Sequence, residues 1–386
     1  MFAFFPQLQL RWQMSVVTVS VFFAAGMFPG SADAQQAEAQ AAEESFQLTC
    51  RDGYKLDGKI QTPTAEQLGD NPQRVIIFCH GSGQQSMDQD LSSVTRDGKE
   101  NLFFRDIAES LVNAGFTVIR HHKRSFQVQL QFREDPTIRD DPGVKAFVAN
   151  PLQFFVNDCL DGVAFAREKY PDAQIYLLGH SVGTYVALQA AQQNDAIAGV
   201  ALLGFYATST EYLVFEQHIA RPASQFATLD ANHDGQLQAD ELQADSDLAK
   251  ALIAQRELLD LNDDQLISVS EFQAASLSSL FVGGLLKAID FRKQEEAYPR
   301  VTEILQTAEF KAAFFQGLWD NQTPAYNAQA VQLLATNVWQ KDFRFHYFSE
   351  LGHALDKRSD YADTTYDTID ADALATLTAE LDEFFR

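Results

Sequence analysis

Only three cysteines, Cys50, Cys79 and Cys159, occur in the 386-residue chain, and an odd number cannot close entirely within one chain. A Cys50 to Cys159 bridge and buried free thiols are the two readings left open. Basic residues are also scarce, with 29 Lys plus Arg against 53 Asp plus Glu and a net charge of -24. That balance speaks against nucleic acid or anionic lipid headgroups as partners and suits divalent cations. Beyond the N-terminal region no stretch is apolar enough to span a bilayer, and no nucleotide or redox cofactor motif is found. With 46% hydrophobic residues, the chain can still bury the core of one large or two small domains.

The first residues carry Arg11, an apolar run from Ser15 to Phe28 and the small-residue site Ala32-Asp33-Ala34. This is the three-part pattern of a secretory signal peptide over residues 1–34, cleaved after Ala34. An uncleaved anchor is the alternative, but the apolar run is shorter than the roughly 18 residues a span needs. Residues 35–44, "QQAEAQAAEE", read as a flexible leader. The expected destination is the periplasm or the medium, with no stable membrane insertion after cleavage, in a compartment where calcium is plentiful.

From Ser45 the pattern alternates. A hairpin signal spans "SFQLTCRDGYKLDGKIQTP", and "RVIIFCHGSG" is a continuous apolar run that fits a strand buried on both faces. Helical "NLFFRDIAESLVNAG", strand "FTVIRHH", helical "PLQFFVNDCLDGVAFAREKY", strand "AQIYLLG", helical "HSVGTYVALQAAQQN" and strand "IAGVALLGFY" follow. Residues 123–151 lack clear periodicity and read as loops with one short helix at most. At Ala207 the rhythm stops, and residues 207–305 are helical and polar with no sheet strand. It resumes with "FKAAFFQGLWD", "AYNAQAVQLLA", "FRFHYFS" and a closing helix. The alternation predicts an α/β fold with a mostly parallel, right-handedly connected sheet. Residues 45–206 and 306–386 are the two parts of its core, and 207–305 is an insertion.

Within "GHSVG", residues 179–183, Ser181 lies between a strand and a helix, with Gly179 and Gly183 permitting the cramped turn that exposes its hydroxyl. The helix that begins there directs its positive end and free N–H groups at an oxyanion. A neutral serine needs a base, and the base an orienting carboxylate. Asp320, in "GLWDNQTP", and His353, in "SELGHAL", each come just past a strand and follow Ser181 in the order Ser, Asp, His.

On these residues the chain resembles the α/β-hydrolase superfamily, from about Ser45 to Ala207 and from about Thr302 to the end. The resemblance implies Ser181 as nucleophile, His353 as base, Asp320 as its orienting acid, and an oxyanion hole from the backbone N–H groups of Val182 and of Ser82 in "HGSG". "IRHHKRSF" departs from the more usual acidic, Gly-bearing turn, which leaves the substrate class open. Among rival residues, His346 sits mid-strand and Asp342 precedes its strand. His80 and His180 are expected to hold turns, and Cys79 to be a small core residue. His121 and His122 either line the cleft or have no substrate role.

Inside the insertion, "DANHDGQLQADE" matches D-x-[DN]-x-[DN]-G-x5-E at Asp230, Asn232, Asp234, Gly235 and Glu241. A hard cation wants several oxygens around it, and the glycine permits the sharp bend. "DLNDDQLISVSE" repeats the pattern at Asp260, Asn262, Asp264 and Glu271, with Gln265 in place of the glycine. Backbone carbonyls of Gln236 and Leu266 would complete the two sets, and Leu237 and Ile267 are the apolar anchors between paired loops. Together, over roughly residues 222–276, they resemble an EF-hand pair that binds calcium. The module is expected to form or brace a cap over the triad, with structural bracing and calcium gating as the two competing roles. Residues 277–289 are apolar enough to line an acyl-binding cleft or to pack a core.

The expected function is a secreted serine hydrolase that cleaves a carboxylic ester through an acyl-enzyme. A peptidase or amidase with the same triad is the nearest alternative. A catalytically silent calcium-binding interaction protein is the alternative from another class.

Overall fold

The computed structural model describes residues 42–386 apart from 70, 97, 244–251, 254, 255 and 280–284. The expected signal peptide and residues 35–41 of the expected leader lie outside the described residues, as does part of the apolar 277–289 segment.

Strands β1 (Ala42–Thr49), β2 (Lys55–Thr62), β3 (Arg74–Cys79), β4 (Phe116–His121), β5 (Gln174–His180), β6 (Ile197–Leu203), β9 (Lys311–Gly317) and β10 (Arg344–Phe348) form one sheet in the order β1-β2-β4-β3-β5-β6-β9-β10. The expected hairpin is β1–β2, antiparallel, and β2 is antiparallel to β4; from β4 to β10 every pairing is parallel. β1 starts at Ala42, three residues inside the expected leader, because Ala42, Glu43 and Glu44 pair with Thr62, Gln61 and Ile60.

The central strands read as unbroken apolar runs because helices cover both faces. On one face Val75, Ile77, Ile175, Leu177 and Val200 pack with Val156, Val163, Val186 and Leu188 from the helices Pro151–Lys169 and Val182–Gln193. On the other, Ile76, Phe78, Tyr176 and Phe315 pack with Phe104, Ile107, Leu377 and Leu381 from Phe103–Asn113 and Ala371–Phe384.

Two details differ from the sequence reading. Residues 123–151 hold two α-helices, Arg124–Glu134 and Pro142–Ala149, with the 3-10 helix Pro136–Asp140 between them. The first buries Arg124 and Gln127 instead of an apolar stripe, so no hydrophobic period marks it. The second is opened by Asp141, whose carboxylate accepts from the N–H groups of Gly143 and Val144. The core also resumes before residue 306, since the helix Val301–Thr307 buries Val301, Ile304 and Leu305 in the first core.

Between β6 and β9, which are neighbours in the sheet, the described chain is mainly helical. It has a small core of its own, with Phe226, Leu229, Leu237, Leu259 and Ile267 buried together. Two short strands, β7 (Gln236–Leu237) and β8 (Ile267–Ser268), pair antiparallel with Leu237 opposite Ile267. No helix among the described residues is long and apolar enough to cross a membrane.

Candidate active site

Ser181 sits directly after β5, at the N-terminus of the helix Val182–Gln193. Its φ of 56° and ψ of -123° are forbidden to most L-residues, a strained turn held by its surroundings. The two glycines of the motif make it sterically possible. A Cβ on Gly179 would lie 2.4 Å from the Gly183 carbonyl oxygen, and one on Gly183 would lie 2.0 Å from that of Cys79. The Ser181 N–H donates to Leu203 O at 2.9 Å, which ties the turn to the end of β6.

Asp320 lies in the turn after β9 and His353 in the loop after β10, so the three side chains leave the same edge of the sheet. His353 Nδ1 and Asp320 Oδ2 are 2.9 Å apart. Asp320 is fully buried and accepts further bonds from Gln316 Nε2, Thr323 Oγ1 and the N–H groups of Gln322 and Thr323. Burial alone would raise its pKa. The His353 ring and the hydrogen bonds from His353 and Thr323 outweigh that and hold the carboxyl below its ordinary value. With Nδ1–H donated to Asp320, Nε2 is the ring nitrogen of His353 left without that proton. Among the described residues Ser181 Oγ has no hydrogen bond, and contacts of this kind tighten when substrate binds.

Gly204, Gln316 and Thr323 escaped sequence reasoning, whereas His180 was expected to hold a turn. Gly204, with φ of +58°, lies against the His353 ring, where a Cβ would come within 2.9 Å of Cε1. Gln316 and Thr323 saturate Asp320. His180 accepts from Gln89 Nε2 at Nδ1, 2.7 Å, and donates from Nε2 to the His353 carbonyl, 3.1 Å. Burial and the neighbouring His353 push the His180 pKa down to about 3, so it stays neutral and keeps both bonds. Only the "HGSG" and "GHSVG" spacing hinted at such roles.

The Gly81–Ser82 turn packs on the elbow, with a Gly81 Cβ position 3.3 Å from Ser181 Cβ. Val182 N–H is at the first position of its helix, where no intrahelical acceptor exists. The rival residues fall elsewhere. His346 stacks on Phe315 and contacts Glu380, and Asp342 is exposed. His80 Nε2 bonds the His121 carbonyl at 2.6 Å, and His122 Nδ1 accepts from Met87 N–H. His121 and His122 hold this turn region through these contacts. Cys50, Cys79 and Cys159 are free and buried, and Cys159 lies 3.4 Å from Cys79 Sγ, so the Cys50 to Cys159 bridge is not formed. A cleft of about 970 Å³ is lined in part by Tyr185, Ala207, Tyr212, Phe215 and Tyr298, and Ser181, Asp320 and His353 are not in its lining.

The acidic loops are built alike. In the first, Asp230 accepts from the N–H groups of Asp234 and Gly235, Asn232 Oδ1 from that of Asp234, Asp234 from that of Gln236, and Glu241 from those of Ala231 and Gln238. In the second, Asp260 accepts from Asp264 and Gln265, Asn262 Oδ1 from Asp264, Asp264 from Leu266, and Glu271 from Leu261 and Ser268. Gln265, with φ of 68°, occupies the left-handed position that Gly235 takes at 80°. Each loop thus carries three carboxylates and an amide oxygen, each accepting from backbone N–H groups, and among the described residues no basic side chain is bonded to them. This all-oxygen set fits a hard divalent cation.

A mostly parallel sheet covered on both faces, with a strained serine between strand and helix, is the architecture of the α/β hydrolases. The chain belongs to that family: the alpha/beta hydrolase fold model matches residues 74–323. Esterase EstD of Thermotoga maritima is 28% identical over 162 residues, 42% of this chain and 33% of that protein. The match therefore spans about a third of the length of that curated relative. Similar solved structures include Est1E from Butyrivibrio proteoclasticus, at 15% identity and a TM-score of 0.45 over 88% of this chain and 97% of that one. Dienelactone hydrolase from Anabaena variabilis aligns at 12% identity and a TM-score of 0.46 over 90% and 97%.

Proposed function

We propose that the protein is an esterase-like serine hydrolase that cleaves carboxylic esters through an acyl-enzyme. The observation that carries this reading is the strained elbow of Ser181 at the same sheet edge as the 2.9 Å His353–Asp320 pair. In this mechanism Ser181 Oγ attacks the ester carbonyl carbon while His353 Nε2 takes its proton. Asp320 keeps the ring in the Nδ1–H tautomer and stabilises the imidazolium. The oxygen that gains charge is received by the N–H groups of Val182 and Ser82. His353 then returns the proton to the departing alkoxide, and water, deprotonated by the same ring, releases the acid and regenerates Ser181.

Calcium is the cofactor this reading assigns to the acidic loops, held by Asp230, Asn232, Asp234, the Gln236 carbonyl and Glu241, and by Asp260, Asn262, Asp264, the Leu266 carbonyl and Glu271. When bound it neutralises clustered carboxylates, so its role is to brace the helical insertion, an EF-hand pair in this reading. Export of the mature chain accords with that role, since extracellular sites of this class bind at about 10⁻⁴ to 10⁻³ M.

The test is the initial rate on a short-chain aryl ester, in calcium, for the mature protein and for Ser181→Ala. Turnover lost in the variant is the expected result. Equal turnover in both would refute the serine mechanism, and none in either would leave a peptidase or amidase with the same residues, or a silent calcium-binding scaffold.

A further inference from the structure

We propose that Lys123 is a positioning residue of the oxyanion site, holding the Gly81 carbonyl so that the Ser82 N–H of the same peptide faces the reacting oxygen. This rests on the reading of Ser181 as nucleophile. Lys123 Nζ donates to Gly81 O at 2.5 Å. No peptide among those described is cis, and across a trans peptide the C=O and N–H point to opposite sides. Clamping the Gly81 oxygen on one side therefore aims the Ser82 N–H to the other. A cation on the carbonyl also polarises the peptide and strengthens its N–H as a donor.

The cost of placing a lysine here argues for a role. Lys123 is buried, and among the described residues no carboxylate pairs with it. The nearby Asp158 is taken by Arg124, through Nε and Nη2. Besides the Gly81 carbonyl, the Lys123 ammonium has the face of Phe155, 4.2 Å from the ring centre. Burying an ammonium with one oxygen acceptor and a ring is unfavourable, and desolvation pushes its pKa down to about 7. A methionine would fill the same space without that cost.

The neighbours of Lys123 act on the same turn. Its N–H donates to Gln85 O, Ser125 Oγ to Gly83 O, and Gln85 Nε2 to Ser82 O. The "HHKRS" segment thus grips residues 81–87, and none of its side chains bonds Ser181, Asp320 or His353. This accounts for the turn after β4 that departs from the family's usual acidic form.

The experiment compares the full mature chain, Lys123→Met, Lys123→Gln and Ser181→Ala on the same aryl ester. It also measures inhibition by an aryl trifluoromethyl ketone, whose serine adduct places an oxyanion in the hole. Losing an oxyanion donor outright costs about 10²- to 10³-fold in kcat. Losing only the clamp leaves the donor present but poorly aimed, so Lys123→Met is expected to lower kcat about 10-fold with KM nearly unchanged. Affinity for the ketone should fall by the same factor, an effect that mere loss of packing would not produce. Unchanged kcat and ketone affinity in folded Lys123→Met, with Ser181→Ala inactive, would overturn this inference alone. Activity retained in Ser181→Ala would overturn the nucleophile reading beneath it. If Lys123→Met does not fold, Lys123→Gln carries the test on the same two readouts: a joint fall supports the role, and no change in either refutes it.

Discussion

Replacing Gly204 by alanine sets a methyl group against the imidazole on which the proposed mechanism depends. A Cβ at this position lies 2.9 Å from His353 Cε1, 3.0 Å from Nδ1 and 3.2 Å from Thr323 Oγ1. That is about half an ångström inside ordinary contact for the nearest atom. The ring cannot retreat freely, because Nδ1 is bonded to Asp320 at 2.9 Å and the His353 carbonyl to His180. Thr323 cannot either, since its hydroxyl donates to the same carboxylate. Relief therefore comes by stretching the His353–Asp320 contact or turning the ring from Ser181. A misplacement of about 1 Å at a catalytic group costs about 10²-fold in rate, or about 2.7 kcal/mol of transition-state stabilisation. We expect a fall in kcat of about 10- to 100-fold, with KM little changed because the contact acts on the orientation of His353. The left-handed φ of +58° adds about 1 to 2 kcal/mol of destabilisation for any residue with a Cβ. The assay is aryl-ester kinetics well below the melting temperature, with thermal unfolding in parallel. A folded Gly204→Ala enzyme with wild-type kcat would refute the argument that this contact sets the position of His353.

Other outcomes follow from the same geometry. Asp320→Asn should preserve the fold but disfavour the Nδ1–H tautomer of His353, lowering kcat by about 10⁴-fold; a loss below tenfold in aryl-ester kinetics would remove Asp320 from the role assigned to it. His180 is neutral when folded, with its pKa down at about 3, but protonates near about 6.5 when unfolded. The unfolded state therefore binds more protons between those values, and stability present at neutral pH is lost as pH falls through that window. Urea melts across about pH 5 to 7 should show His180→Gln with a shallower slope, by up to about 1.4 kcal/mol per pH unit; an unchanged slope would remove this contribution. Chelation should lower the melting temperature and leave KM unaltered in the still-folded enzyme, whereas a changed KM would favour calcium gating. Gln265→Gly should relieve about 1 kcal/mol of left-handed strain and tighten calcium binding at the second loop, as calorimetric titration would report.

The elements that sequence reading located are those whose evidence is local. β3, β5 and β6 are continuous apolar runs because a strand covered on both faces has no polar side to display. The elbow is legible because only glycines fit beside the Cys79 and Gly183 carbonyls. The helix Arg124–Glu134 was not legible, because what it buries is Arg124, in a shared network with Asp52 and Asp158, and Gln127. A charged side chain buried by distant partners reads in sequence as a solvated one.

By itself, the sequence determined the α/β class, the serine turn, the chain order of Asp320 and His353, and the oxygen-rich loops, all of which rest on spacing within a few residues or on the order of strands. Tertiary structure alone decided that Gly204 meets His353, that His180 holds the His353 carbonyl, and that Lys123 reaches Gly81. Those contacts join segments separated by tens to hundreds of residues, and they exist only where parallel strands end side by side and bring their following loops together.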